Sequence, residues 1–108
     1  MHNLEKNEKK SSSMHKITRR QRAENDAKEI YDYYEDCREG LGGEFLKELE
    51  ERIQKILVGF PKIVPIAYKN RRRLTLKKFP HQVVFIINEI KKEVQLLAII
   101  HPKRNLNP

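Results

Sequence analysis

Two apolar segments close together in the last third of the chain constrain its fold more than any other feature. Residues 83–87 and 94–100 are apolar at almost every position, as strands buried in the middle of a sheet tend to be. The polar residues 88–92 between them predict a turn. Residues 71–79 alternate basic with apolar side chains, which predicts a strand with one solvated face. The sheet therefore combines an apolar centre with a basic edge.

Upstream of the predicted sheet, residues 20–58 follow the period of a helix. Apolar side chains recur at helical spacing over 23–34 and again over 45–57, so each stretch forms one apolar stripe. A cluster of glycines between the stretches predicts a turn. We expect the first helix to end near Glu39 and the second to run from about Gly43 to Gly59. The result is a hairpin of antiparallel helices whose apolar faces need a cover.

The order of the elements predicts an α+β fold. A weak candidate strand at 15–18 precedes the helices, and residues 66–70 lead into the first long strand. The order is then β-α-α-β-β-β, with the helical hairpin packed on one face of a small, largely antiparallel, four-stranded sheet. Residues 1–13 contain a single leucine among Lys, Asn, Ser and Glu, and we expect a disordered leader there. Residues 14–108 then form one domain.

The charge is distributed unevenly. Residues 1–22 carry seven Lys/Arg against two acids, residues 23–58 carry five against eleven, and residues 59–108 carry eleven against two. The chain is thus an acidic helical half joined to a basic sheet half, with a net charge of +8. Such a basic half suits a polyanion or an acidic protein partner. A surface that only keeps a small protein in solution is the alternative.

Several functional classes are disfavoured by the sequence. Cys37 is the one cysteine, so we expect neither a disulfide framework nor a cysteine-based metal site. The four histidines are scattered without the spacing of a zinc site, and no phosphate loop or nucleophile elbow is present. We therefore expect no metal and no cofactor. Since no segment reads as a membrane span or a secretion signal, we expect a soluble, cytoplasmic protein.

The residues that remain for chemistry are basic and lie at the two ends of the predicted sheet. They could converge on one surface that binds phosphates or stabilises the extra charge of a phosphorane during RNA cleavage. A solubilising sheet edge that blocks aggregation is the alternative. The candidate residues are Arg71, Arg72, Arg73, Lys77, Lys78, His101, Lys103 and Arg104.

His101 follows a buried strand directly, at the point where the chain emerges from the sheet. A neutral imidazole there can act as a general base, or it can serve structurally by hydrogen bonding to a loop carbonyl. Tyr31, Tyr33 and Tyr34 could stack on bases. The helical spacing of Tyr31 and Tyr34 favours a place in the hairpin core instead.

Five segments taken together resemble the RelE/ParE superfamily of type II toxins. These are AENDAKEIYDYYE, GGEFLKELEERIQKI, FPKIV, YKNRRRLTLKKFPHQVVF and VQLLAIIHPKRNLNP. Their order and spacing over residues 14–108 carry the resemblance, most closely to the branch with a KFP-aromatic turn and a His-x-x-Arg-Asn-Pro-like tail. The resemblance implies the β-α-α-β-β-β fold, a cognate antitoxin that wraps the toxin, and growth arrest. It implies one of two targets, since RelE-like members cut mRNA in the ribosome and ParE-like members poison DNA gyrase.

The residues of RelE-like nucleases carry over only in part. Arg73 falls where those toxins place a strand lysine, and Arg104 matches the arginine after the last strand. Thr75 stands at a second lysine position, and Gln82 stands where the third strand usually carries an arginine. No tyrosine follows Arg104 in the sequence. Losing preorganised cations would slow cleavage by orders of magnitude unless His101 or Arg72 substitutes.

We therefore expect a toxin of this superfamily that acts in the ParE-like, non-nuclease mode on DNA gyrase. Target binding is assigned to the basic sheet residues and to Lys103 and Arg104. The alternative is a metal-independent, ribosome-dependent mRNA endonuclease that uses Arg73, His101 and Arg104. A decayed toxin that only binds its antitoxin is a third possibility. The expected antitoxin contact is an acidic tail that folds onto the basic half.

Overall fold

The computed structural model describes residues 14–102. Two helices pack on one face of a five-stranded sheet whose order is β1-β5-β4-β3-β2. The predicted α+β class is confirmed. The elements, in chain order, are β1 Lys16–Arg19, α1 Gln21–Cys37, α2 Leu41–Arg52, β2 Ile66–Tyr68, β3 Arg71–Thr75, β4 Gln82–Asn88 and β5 Glu93–Ile100.

The two apolar segments form the centre of the sheet, as predicted. Strands β4 and β5 pair antiparallel, with Val83 opposite Ile99 and Phe85 opposite Leu96. On the outer side of β5, β1 pairs parallel to it, with Ile17 opposite Val94. The sheet is therefore mixed, and its single parallel pair joins the two ends of the described chain.

The predicted number of strands, four, is wrong by one. Residues Ile66–Tyr68 form a separate edge strand that pairs antiparallel with β3. The connection between these strands turns at Lys69, whose φ of 54° is left-handed. Hairpin turns of this kind usually contain glycine, aspartate or asparagine at the left-handed position. Because a lysine occupies this position, the sequence carries no strong signal for a turn. The pattern over residues 66–70 therefore predicted only a segment leading into β3.

The strand predicted over residues 71–79 ends at Thr75 instead. Beyond it, the Leu76 N–H donates to the His81 carbonyl at 3.1 Å, and the chain bends through Pro80. The Glu48 carboxylate of α2 accepts from the N–H groups of Lys77 and Lys78, the latter at 3.0 Å. These amides therefore bond to a helix side chain, and alternation along the strand stops before Lys77.

We predict that Glu48→Ala lowers the free energy of unfolding by about 1–3 kcal/mol, because it leaves two turn amides without their acceptor. Urea denaturation followed by circular dichroism measures the change. Glu51→Ala is the matched control, since Glu51 lines the same cavity and is exposed; its effect should stay within about 0.5 kcal/mol. Equal effects of the two substitutions would show that Glu48 acts only as a surface charge.

The helical hairpin is held by a side chain of the first helix that caps the start of the second. α1 ends at Cys37, two residues before the predicted Glu39, and α2 begins at Leu41, two residues before the predicted Gly43. The Glu35 carboxylate accepts from the Gly42 N–H at 2.8 Å and lies 3.4 Å from the Gly43 nitrogen. A carboxylate at a helix N-terminus satisfies free amides and complements the helix dipole. The glycine segment can therefore start a helix.

The second helix closes with a π-helical turn over Ile53–Leu57. The Val58 N–H donates to the Ile53 carbonyl at 3.2 Å, and the wider turn leaves both Ile53 and Leu57 fully buried. The core forms between the hairpin and the covered face of the sheet, around Phe45, Leu49 and Phe85. No helix between residues 14 and 102 is long and apolar enough to span a membrane.

Two polar contacts connect the helices to the sheet. Arg19, at the end of β1, makes two 2.8 Å hydrogen bonds to the Glu50 carboxylate of α2, and this pairing raises the pKa of the guanidinium. Asp26 of α1 accepts from the Ile99 N–H at 2.9 Å. β1 pairs with β5 only as far as Leu96, so the Ile99 N–H has no acceptor on β1. Asp26 of α1 supplies that acceptor.

Candidate functional site

The face of the sheet opposite the helices carries two of the predicted basic residues, Arg71 and Arg73. The strand register places Arg73 beside Val84 and Val84 beside Ala98, in one line across three strands. Since alternate residues of a strand share a face, Arg71 lies on the same side as Arg73. The predicted alternation of β3 is confirmed there, because Leu74 points into the core and Arg73 is exposed.

Arg71 and Arg73 are joined on this face by two arginines that sequence reasoning missed, Arg20 and Arg22. The four guanidinium groups belong to one open cavity of about 340 Å³. We call this surface, with its floor, the arginine face. The floor is aliphatic and comes from the two central strands, through Val84, Leu97, Ala98 and Ile100.

The local structure explains how Arg20 and Arg22 reach this surface. Arg20 follows β1 directly, and its backbone N–H donates to the Leu96 carbonyl at 2.9 Å, so the parallel pairing sets its position beside β5. Its guanidinium donates to Gln95 at 3.1 Å. Arg22 lies in the first turn of α1, 3.5 Å from the Asp26 carboxylate. The sequence signal was a cluster of basic residues around the start of α1, and nothing local connects that cluster to β3.

The four arginines of the arginine face differ in whether their charge is already paired within the chain. The guanidinium groups of Arg20 and Arg22 each have a protein partner, whereas the side chains of Arg71 and Arg73 make no hydrogen bond or ion pair with any residue between 14 and 102. Guanidinium groups without an internal carboxylate are available to carboxylates or phosphates of a partner. Val84 is 9% exposed and Ala98 5%, because long arginine side chains can cover apolar surface with their stems.

Arg72 does not belong to this face. Its guanidinium Nη1 donates to the Val64 carbonyl at 2.6 Å and to the Lys62 carbonyl at 3.1 Å. Both carbonyls lie in the segment between α2 and β2, which contains a short 3₁₀ turn at Pro61–Ile63. Arg72 therefore holds a loop against the sheet, and this role accounts for its position without a ligand.

Lys77 and Lys78 lie in a different cavity, of about 300 Å³, between the end of β3 and α2. Its lining combines three more basic side chains with three carboxylates of the same chain. The lining residues are Glu44, Lys47, Glu48, Glu51, Arg52, Lys55, Lys77 and Lys78. The structure does not bring these two lysines together with Arg71 and Arg73.

His101 lies in a third cavity, beside α1. Its ring packs edge-to-face on His81, with 5.1 Å between the ring centroids. Arg73 and His101 line separate cavities. Lys103 and Arg104, the other predicted residues of the C-terminal segment, lie outside the described residues, as does the predicted leader at 1–13.

Two neutral residues occupy the end of the sheet next to the arginine face. Thr75 and Gln82 are cross-strand partners, and the Gln82 amide donates to the Thr75 hydroxyl at 3.2 Å. Ile100 lies beside Gln82 on β5. Thr75 and Gln82, the positions that the resemblance matches to a lysine and an arginine of RelE-like nucleases, are thus an uncharged, mutually bonded pair. Residues 14–102 contain no group of three side chains placed to hold a metal ion.

Comparisons with known proteins agree with this architecture. A family model described as ParE toxin of the type II toxin-antitoxin system parDE matches residues 17–106. A solved structure described as the chromosomal ParDE toxin-antitoxin system from P. aeruginosa is similar, with a TM-score of 0.71 and 22% identity. The match covers 82% of this chain and 97% of that chain. No curated protein matches. Because the family model spans most of the sequence, the chain belongs to the ParE family of type II toxins.

Proposed function

We propose that this toxin arrests growth by binding DNA gyrase through the arginine face, without cutting RNA, and that a cognate antitoxin neutralises it. Membership of the ParE family supports the toxin role, and the antitoxin follows as the partner that a type II system contains. The observation that carries the non-nuclease mode is the uncharged pair of Thr75 and Gln82. It stands where a RelE-like site would carry two cations.

The chemistry of RNA cleavage explains why that pair matters. A phosphorane gains negative charge as it forms, and catalysis without a metal depends on cations already aimed at it. On this chain, Arg73 is the one cation of the nuclease pattern on the open face of the described sheet. His101, the candidate base, lines a different cavity. Arginines bind an anion, but without a base in the same cavity they do not move a proton.

The arginine face suits a protein target. Arginine is enriched at protein interfaces and among the residues that dominate binding energy. Here two guanidinium groups without internal partners stand beside an aliphatic floor of Val84, Ala98 and Ile100. That combination offers charge-assisted hydrogen bonds to carboxylates together with apolar contact, which is the arrangement of an interface core with a polar rim.

The antitoxin is proposed to be acidic where it meets the toxin. Residues 59–108 carry a net charge of +9, so an acidic segment that folds on binding would neutralise them. Its overlap with the arginine face would explain how one contact blocks the target.

We predict that Arg71→Gln combined with Arg73→Gln abolishes growth arrest and raises the toxin concentration for half-maximal inhibition of gyrase supercoiling at least about tenfold. The physical reason is the loss of both guanidinium groups that have no partner within the described chain. The matched control is Lys91→Gln combined with Lys92→Gln, in the exposed β4–β5 turn, which removes the same charge from another surface. That variant should inhibit gyrase like the wild type.

The same proteins are added to a purified translation reaction, and the mRNA is mapped by primer extension. Intact mRNA together with trapped gyrase–DNA cleavage complexes is the expected result. Cuts that appear only with ribosomes would replace the proposal with the endonuclease mode. If neither gyrase inhibition nor mRNA cleavage is detected, and expression of the protein does not stop growth, a decayed toxin is favoured. Full activity of the Arg71/Arg73 variant, with normal folding, would remove the arginine face as the target site.

A further inference from the structure

The cavity that contains His101 has no role in the proposed contact with gyrase. It measures about 210 Å³ and lies between α1 and the ends of β4 and β5. None of its lining residues belongs to the arginine face. The lining is built mostly from rings, through Glu29, Ile30, Tyr33, Tyr34, His81 and His101.

The four rings stand on edge against one another in sequence. Tyr33 and Tyr34 are 5.2 Å apart with an interplanar angle of 68°, and Tyr34 meets His81 at 5.8 Å and 81°. His81 meets His101 at 5.1 Å and 89°. Successive near-perpendicular rings present both faces and edges to the space between them. The faces of the two tyrosine rings attract cations through their negative potential.

The inner wall of the cavity is packed against the core, and its outer wall is exposed. Tyr34 also packs on Phe79 at 4.9 Å and on Phe45 at 5.9 Å, and burial raises the pKa of its hydroxyl, so the phenol stays neutral. His81 is 7% exposed, whereas Tyr33 is 56% exposed. A ligand therefore approaches past Tyr33 and meets a preformed wall, which lowers the cost of ordering on binding.

The electrostatics favour a cation. Glu29 lines the cavity and makes no ion pair with any residue in the described part of the chain. No lysine or arginine among residues 14–102 lines it. Asp32 and Asp36 follow Glu29 by three and seven positions, so they share its side of α1. A nucleobase would bring its phosphate toward these carboxylates, which is unfavourable.

We propose that this cavity binds the guanidinium group of an arginine side chain presented by a protein partner. Its volume is below the range of about 300–1,000 Å³ that is usual for whole small-molecule ligands, and it suits one side chain. Glu29 pairs with the charge at the rim while the rings of Tyr33, Tyr34 and His101 surround it. This inference does not depend on the identity of the toxin's target.

The test is a titration of the intact toxin with N-acetyl-arginine amide, followed by the aromatic NMR signals of Tyr33 and His101 at pH 8, where most imidazoles are neutral. N-acetyl-citrulline amide, a neutral analogue of similar shape, is titrated in parallel. We expect saturable shifts with arginine, with a dissociation constant on the order of millimolar for a ligand of this size. Citrulline should cause none.

Two variants examine the site itself. Glu29→Gln should weaken arginine binding about two- to fivefold, and Tyr33→Leu should weaken it similarly through the loss of a ring face. Glu24→Gln, which removes one charge from the first turn of the same helix, should bind like the wild type. Thermal unfolding confirms that the exposed substitutions leave the fold intact.

The titration is repeated with Lys103→Gln combined with Arg104→Gln, because the chain's own basic residues follow His101 closely. Binding that appears only in this variant would still support a guanidinium site, with an internal occupant in the wild type. Equal binding of citrulline and arginine, or no binding in either protein, would overturn the proposal. Unchanged binding in Glu29→Gln and Tyr33→Leu would also overturn it.

Discussion

Phe45→Ala is expected to lower the free energy of unfolding by about 3–5 kcal/mol, the range for truncating a fully buried aromatic residue. Phe45 is 0% exposed and lies where the two helices and the β3–β4 turn meet. Its ring contacts Phe79 at 5.4 Å, His81 at 5.6 Å and Tyr34 at 5.9 Å. Truncation removes the free energy gained by burying the ring and leaves a cavity. It also removes the ring that packs against Tyr34.

Equilibrium urea denaturation measures this loss, with Phe60→Ala as the matched control. Phe60 is 64% exposed, so the same change in chemistry should alter the free energy of unfolding by less than about 1 kcal/mol. A loss below about 2 kcal/mol for Phe45→Ala, or a similar loss for the two variants, would contradict the position of Phe45 at the centre of the core.

Gly42→Ala is expected to destabilise the protein by about 1–3 kcal/mol, although alanine favours a helix more than glycine does. A Cβ atom at Gly42 would lie 2.6 Å from the Tyr31 carbonyl oxygen and 2.7 Å from the Glu35 Cγ. The oxygen belongs to the backbone of α1, so only a shift of the whole hairpin relieves the contact. The shift would also disturb the cap that Glu35 makes at the start of α2.

Gly43→Ala supplies the control, since a Cβ atom there meets nothing within 4 Å. It adds the same methyl group to the same helical turn, and it should leave stability unchanged or raise it by up to about 1 kcal/mol. Thermal unfolding by calorimetry compares the two variants. If Gly42→Ala proves as stable as Gly43→Ala, the close approach of the two helices at this glycine is wrong.

The elements that local patterning could predict were those with long runs of one period. Strands β4 and β5 lie within two residues of the segments predicted from apolar runs. The helical hairpin follows from apolar stripes and from the glycines between them. Errors fell where a side chain distant in sequence replaced a local signal, as with Glu48 at the end of β3 and Glu35 at the start of α2.

The candidate site was predicted in part, for a related reason. Alternation along β3 correctly placed Arg73 on the face opposite Leu74, and with it Arg71. It gave no indication that Arg72 bonds to a loop, or that Arg20 and Arg22 complete the surface. The positions of Arg20 and Arg22 depend on the parallel pairing of β1 with β5, which brings together residues more than 70 positions apart in the sequence.

By itself, the sequence determined the fold class, the two helices, the central strands and the likeness to ParE-like toxins, because each depends on periodicity or on the order of local segments. Only the tertiary structure decided which cations share a surface. The order of strands sets side chains next to one another across the sheet. A hydrogen bond to Val64 keeps Arg72 off the arginine face, and hydrogen bonds to Glu48 hold the β3–β4 turn against α2 instead. Such pairings depend on contacts between distant segments, and local spacing carries no record of them.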